Sequence, residues 1–221
     1  MGIELKNISR KYEDLYALKH INLSIKKGTF LAIIGKSGSG KSTLLNLIGD
    51  LDRPSEGSIS IDDIDLMALQ QGDHDKFRNR YIGFIFQFSN LEPSYSVFEN
   101  VEIPLIIAGI KKEERKQRVL DALEKTNILH KRNQRALTLS GGEKQRVAIA
   151  RAIVSQPKII LADEPCGNLD SENSDMIMKL LKSLQSEDNI IILVTHEIED
   201  AKLADRIITL KDGEILIDQG H

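Results

Sequence analysis

The run Phe30-Leu31-Ala32-Ile33-Ile34-Gly35-Lys36-Ser37-Gly38-Ser39-Gly40-Lys41-Ser42 decides the fold. Its first five residues are continuously apolar and end at a glycine, the pattern of a strand buried on both faces in a parallel sheet. Its last eight match G-x-x-x-x-G-K-[ST]. Small residues at Gly35, Ser37, Gly38, Ser39 and Gly40 let the backbone curl, so that successive N–H groups point at one polyphosphate. Leu44, Leu45, Leu47 and Ile48 predict a helix whose positive end aims at the same place. In such a loop Lys41 reaches the β- and γ-phosphates, and the Ser42 hydroxyl ligates Mg²⁺. A random chain of this length would match the pattern about once in a hundred, and the strand before and helix after make chance rarer still.

Outward from the loop, Ile21, Leu23 and Ile25 alternate with polar residues as in a half-buried strand. Ile59 and Ile61 alternate likewise, and Arg80 to Phe86 reads as a further strand. The middle of the chain is helical. Ser96 with Glu99, and Ser140 with Glu143, have capping-box spacing, and the second helix is expected to run to about Ser155. Pro104 should kink or end the first. Between them Lys111 to Thr126 puts Val119, Ala122, Leu123 and Thr126 on one face, and its charge run reads as a solvated surface. In the last third, buried strands at Ile159 to Ala162 and Ile190 to Val194 flank a helix carrying Ile177, Leu180, Leu181 and Leu184. Asp212-Gly213 turns a closing hairpin. Buried strands alternating with helices predict an α/β fold with a largely parallel core sheet, interrupted by a helical insertion at roughly 88 to 155.

Composition narrows the class. The 221 residues are 41% hydrophobic and 29% charged, with 5 Pro, 15 Gly and a net charge of -3. That is globular composition, with no overall basic balance to favour nucleic acid. One Cys allows no internal disulfide and favours an intracellular compartment. The apolar runs reach about five residues, far short of the roughly 20 of a membrane-spanning helix. Met1-Gly2-Ile3-Glu4 offers no basic stretch followed by an apolar one, so no secretory signal is expected.

A second element of phosphate chemistry is Ile159-Ile160-Leu161-Ala162-Asp163-Glu164-Pro165. An apolar strand ending in Asp sets a carboxylate at the C-terminal edge of a sheet, where ligands bind. Asp163 would hold Mg²⁺ through its water shell. Glu164, one residue on, can accept a proton from an attacking water.

Leu139-Ser140-Gly141-Gly142-Glu143-Lys144-Gln145-Arg146 resembles the signature motif of ATP-binding-cassette ATPases. Gln87 resembles that family's Q-loop glutamine, Gly167-Asn168-Leu169-Asp170 its D-loop, and His196 its switch histidine. Tyr12 sits where the family places an aromatic that stacks on adenine, although Tyr16 lies close enough to compete. The resemblance spans essentially the whole chain. It implies a RecA-like phosphate-loop core with an N-terminal antiparallel β subdomain, built from residues 1–87 and 156–221, and a helical signature subdomain at 88–155. It implies ATP and Mg²⁺ as cofactors. Lys41, Ser42 and Thr43 would then hold phosphates and metal, and Gln87 would contact the metal or water. Glu164 would be the general base, and His196 would hold the γ-phosphate. Ser140, Gly141, Gly142, Glu143 and Asp170 would complete the site of a second copy in a head-to-tail dimer that buries two ATP molecules.

Within the family, Ile82 to Gln87, Glu99-Asn100-Val101 with Pro104-Leu105, and Leu161 to Asp170 resemble a branch of lipoprotein-release, macrolide-efflux and antimicrobial-peptide-export ATPases. Such ATPases drive a separate membrane permease from the cytoplasmic face. The permease contact is expected near residues 88 to 107, where part of the set Phe88, Leu91, Tyr95 and Phe98 would line a cleft and the rest would pack the helical insertion onto the core. Cys166 departs from the Thr usual between Pro165 and Gly167. The rival is a soluble cassette ATPase acting on DNA or ribosomes, but the chain has neither coiled-coil heptads nor paired Cys. His20, His74, His130 and His221 share no ligand spacing and read as surface residues.

Overall fold

The computed structural model describes residues 2–220. Strands β1 (Gly2–Tyr12), β2 (Leu15–Lys26) and β3 (Phe30–Ile34) lead to helix α1 (Lys41–Ile48). Strands β4 (Glu56–Ile61) and β5 (Ile64–Asp65) precede α2 (Asp73–Tyr81) and β6 (Ile82–Ile85). Helices α3 (Val97–Ile107), α4 (Lys112–Lys125) and α5 (Gly141–Ile153) come next, then β7 (Ile159–Asp163) and α6 (Ser171–Ser183). Last are β8 (Ile190–Thr195), α7 (Ile198–Ala201), β9 (Arg206–Lys211) and β10 (Glu214–Gly220). The chain packs as two compact units, one up to Asp75 and again from Gln185, the other Lys76–Leu184.

In the first unit, β2-β1-β4-β5 form an antiparallel sheet. Its register sets Ile3 opposite Ile25, Leu5 opposite Leu23 and Ile8 opposite Ile21, so one face of the alternation is buried. Strand β3 lies between β8 and β9, parallel to both, and β10 folds back antiparallel on β9. Phe30, Leu31, Ala32 and Ile33 have no exposed surface, which is why this strand reads as an unbroken apolar run. The Phe30 N–H donates to Asp205 Oδ2 at 2.9 Å, which ties the start of β3 to the start of β9. The hairpin turns at Asp212-Gly213, both at positive φ as a primed turn requires.

In the second unit, β6 and β7 pair in parallel. Helices α3, α4 and α5 bury stripes of Val97, Val101 and Leu105, of Val119 and Leu123, and of Val147, Ile149 and Ile153. Both capping boxes form as expected, at Ser96/Glu99 and Ser140/Glu143. The observed class is α/β with an antiparallel β subdomain and inserted helices.

Three readings need correction. Arg80 and Tyr81 belong to α2, and the strand begins at Ile82. Pro104 does not end its helix, which runs on to Ile107. Losing one backbone donor costs about 3 kcal/mol, and the buried stripe that continues to Leu105 offsets it. His74 is not a surface residue. Its Nδ1 sits 2.7 Å from Asp50 Oδ2 and its Nε2 2.8 Å from an Arg53 guanidinium nitrogen, with the residue only 6% exposed. His20 and His130 are exposed as expected. His221 lies outside the described residues.

Candidate functional site

The phosphate loop is fixed by backbone contact. A Cβ on Gly35 would stand 2.3 Å from the Leu210 carbonyl oxygen, and one on Gly40 2.5 Å from that of Ala17. Gly40 also has φ 101, a conformation L side chains rarely adopt. The loop is therefore wedged between β2 and the end of β9, and the Gly213 N–H donates to the Ser39 carbonyl at 3.2 Å. Lys41 is buried at the centre of the curl, where its Nζ donates to the Gly35 and Lys36 carbonyls at 2.8 and 3.1 Å. Ser37 and Gly38 lie exposed at the rim, while Ser42 is exposed and Thr43 half-buried in the first turn of α1. The N-cap of α1 is Gly40, with no side-chain cap and no acidic residue in the first turn. Its orphan N–H groups and helix dipole thus meet no competing carboxylate from this helix.

In the same unit, Ile34 and Thr195 are register partners across β3 and β8. His196 follows directly and is brought beside the start of the loop. It is exposed, with Nε2 3.2 Å from Glu197 Oε1. Tyr12 closes β1, 44% exposed, with its hydroxyl donating to Asp52 Oδ2 at 2.5 Å. Tyr16 is equally exposed, and Lys11 Nζ lies 5.4 Å from its ring centre.

In the second unit, Ile85 and Ala162 are register partners, so Gln87 and Asp163 emerge together at the C-terminal edge of β6 and β7. Asp163 is half-buried. Glu164 is half-buried too and sits at φ 48, a left-handed backbone uncommon for a residue with a long side chain. Gln87 reaches the D-loop: Asn168 Nδ2 donates to its carbonyl at 3.4 Å, and a Cβ on Gly167 would lie 2.7 Å from its Nε2. Gln145 Nε2 donates to the Phe86 carbonyl at 3.1 Å, and Arg151 donates to the carbonyls of Ser89 and Asn90 at 2.7 Å. Helix α5 therefore carries its own hydrogen bonds to the segment around Gln87. Cys166 Sγ lies 3.7 Å from the Ser174 carbonyl, inside the turn that starts α6.

The start of α5 is built from side chains. Ser140 Oγ accepts from the Glu143 N–H at 3.3 Å, and Glu143 Oε2 accepts from the Ser140 N–H at 2.8 Å. Glu143 Oε1 is 3.2 Å from Lys131 Nζ. The Ser140 N–H, with Lys131 after it, holds the Glu143 carboxyl below its ordinary range. The box leaves out the N–H groups of Gly141 and Gly142. Gly142 is buried against α6, where a Cβ would come within 2.2 Å of Asn173 Oδ1. Asn173 is in turn held by Asp170, the N-cap of α6. Its backbone N–H donates to Asp170 Oδ1 at 2.8 Å, and Nδ2 reaches both carboxylate oxygens. That N–H holds the Asp170 carboxyl below its usual range. So signature and D-loop are joined through Asn173. Lys131 and Asn173 were not identified from the sequence, although the spacing of Asp170 and Asn173 is a capping signal that could have found the second. Phe88 and Tyr95 are 67% and 47% exposed, while Leu91 and Phe98 are half-buried.

A family model described as ABC transporter matches residues 18–167. The macrolide export ATP-binding/permease protein MacB of Campylobacter jejuni is 45% identical, over 98% of this chain and 34% of its own length. The lipoprotein-releasing system ATP-binding protein LolD of Bacteroides fragilis is 41% identical, over 97% of this chain and all of its own. A dimeric structure of the ATP-binding cassette MJ0796, in a post-hydrolysis state bound to ADP and Pi, superposes with a TM-score of 0.90 at 45% identity. That match covers 99% of this chain and 98% of the cassette.

Proposed function

The chain belongs to the ABC transporter family as an ATPase cassette, and from that premise we propose that it hydrolyses ATP to drive a separate membrane permease. The observation that carries the reading is the wedged loop around Lys41, with a helix start stripped of side-chain caps and acids behind it.

Lys41 and the N–H groups of Gly38, Gly40, Ser42 and Thr43 hold the β- and γ-phosphates. The Ser42 hydroxyl, the Asp163 carboxylate and the Gln87 amide oxygen would be the donors for Mg²⁺. These are hard oxygen ligands and few in number, and among the described residues no group of three or more His, Cys, Asp or Glu could cage a cation. Such a set suits a metal that keeps waters and phosphate oxygens in its shell. Bound there, Mg²⁺ would neutralise charge on the phosphates. Glu164 takes the proton of the attacking water. His196 donates to the γ-phosphate, and Tyr12 stacks on the base. Residues 88–155 form the helical signature subdomain.

The dimeric cassette of MJ0796 supports pairing with a second copy. In a head-to-tail pair, Ser140, Gly141, Gly142, Glu143 and Asp170 of one copy face the nucleotide held by the other. The permease docks on the helical subdomain near Phe88, Leu91, Tyr95 and Phe98, and this holds the protein to the inner face of the membrane. The names of MacB and LolD support a cargo that is a drug-like molecule or a lipoprotein.

The test is the solution mass of Glu164→Gln by light scattering, with and without ATP and Mg²⁺. Removing the base should trap the state before hydrolysis, and the mass should double with ATP. A variant that binds ATP, stays monomeric and still hydrolyses at the parental rate would remove Glu164 from the mechanism.

A further inference from the structure

Tyr12 is held from two sides by residues outside every assignment made above. The Arg10 guanidinium lies over the ring, 4.4 Å from its centre, a cation–π contact that occupies one of the two ring faces. Arg10 Nη2 pairs with Asp52 Oδ1 at 2.7 Å, both side chains being about a fifth exposed. Asp52 takes the Tyr12 hydroxyl on its other oxygen. Base platform, guanidinium and carboxylate thus form a closed three-membered ring of contacts.

Asp52 is also the link to the phosphates. It lies just past α1, where the Leu51 and Asp52 N–H groups both donate to the Asn46 carbonyl at 2.9 and 3.3 Å. The same loop stitches the end of β1 in place. The Ser55 N–H donates to the Ser9 carbonyl at 2.8 Å, and the Lys11 N–H to Ser55 Oγ at 3.0 Å. One end of α1 carries Lys41 and Ser42, and the loop at its other end clamps the aromatic ring. Tyr16 has no comparable tie among the described contacts, only its proximity to Lys11.

We propose that Arg10 and Asp52 are positioning residues for the nucleoside. They lock the Tyr12 ring with one face covered and the other presented to adenine, and they tie that platform to the helix that grips the phosphates. The proposal rests on Tyr12 being the base platform, so its test separates the two.

Calorimetric titration of the full chain with ATP and with inorganic tripolyphosphate, which has the phosphates and no base, reads the difference. Asp52→Ala should raise the Kd for ATP about three- to tenfold, the effect of one lost positioning hydrogen bond, and leave that for tripolyphosphate unchanged. Tyr12→Phe removes a single oxygen and should reproduce that loss, with Asp52→Ala adding nothing further to it. Arg10→Ala should act in the same direction.

If Tyr12→Ala weakens ATP while Asp52→Ala and Tyr12→Phe do not, the positioning role is overturned and the platform stands. If Tyr12→Ala leaves ATP binding unchanged, both fall. Tighter ATP binding by Arg10→Ala would mean that the guanidinium sits where the base belongs, and would overturn the proposal. An equal loss for both ligands in Asp52→Ala and Tyr12→Phe would reduce the ring of contacts to a structural brace.

Discussion

Helices α1 and α5 both have glycine at their starts and both are assigned to phosphate, yet their N-termini are made by opposite means. Helix α1 has glycine at its cap, in a left-handed backbone, with no side chain on its first N–H groups. Helix α5 has a serine cap, a reciprocal glutamate, and a lysine that neutralises the glutamate. The walls differ as well. Gly40 abuts a backbone carbonyl, whereas Gly142 abuts the end of an asparagine side chain. The first start is incomplete by itself and rigid in its surroundings. The second caps its own Ser140 and Glu143 N–H groups, leaves those of Gly141 and Gly142 out, and leans on a side chain rather than on backbone. A capping box alone does not mark a ligand site, because α3 has the same box at Ser96 and Glu99.

The largest way to break this comparison is at α1. Gly40→Ala should abolish ATP binding and lower the melting temperature, since left-handed strain of about 1–3 kcal/mol adds to a clash with the Ala17 carbonyl. Titration and a thermal melt check it. Unaltered ATP binding would mean that the wedge is not what shapes the loop.

At α5 the expected effect is smaller and reversible. Gly142→Ala should cost about 1–3 kcal/mol by overpacking against Asn173. Asn173→Ala in the same chain should restore most of it. Urea unfolding of the single and double variants measures the coupling, and simple additivity would mean that the two residues do not meet.

The smallest effect is in pH. The Glu143 carboxyl is held below its ordinary value in the folded chain. Its contribution is therefore fully present above the unfolded value of about 4.3, and is lost as pH falls through the lowered folded value. Glu143→Gln should be less stable than the parent at neutral pH, and the gap should close below about pH 4. A gap that persists unchanged into acid would exclude the carboxylate as its source.

The phosphate loop was legible in the sequence because its demands are local. Five apolar residues, three glycines, two lysines and three serines fill the thirteen positions, and the spacing of Gly35, Gly40, Lys41 and Ser42 carries the pattern. The capping boxes were legible for the same reason, each needing only two residues three apart. What escaped depends on partners far along the chain. His74 read as surface between two aspartates, and its burial comes from Asp50 and Arg53, more than twenty residues earlier. Arg10 and Tyr12 meet Asp52 across forty residues. Pro104 carries a strong local signal against helix, and the buried stripe on both sides of it prevailed. Arg80 and Tyr81 carry no such stripe, and the strand reading failed there because Tyr81 stacks on Phe77 one helical turn back, with ring centres 4.9 Å apart.

The kind of wall each glycine meets also bears on how the sequence can drift. A carbonyl oxygen is present whatever residue stands at 17 or 210, so no change at those positions relaxes the hold on Gly40 or Gly35. The wall at Gly142 belongs to one side chain, and its identity can change together with position 173. Across related chains we expect residues 142 and 173 to vary as a pair, and residue 40 to have no partner whose variation predicts its own.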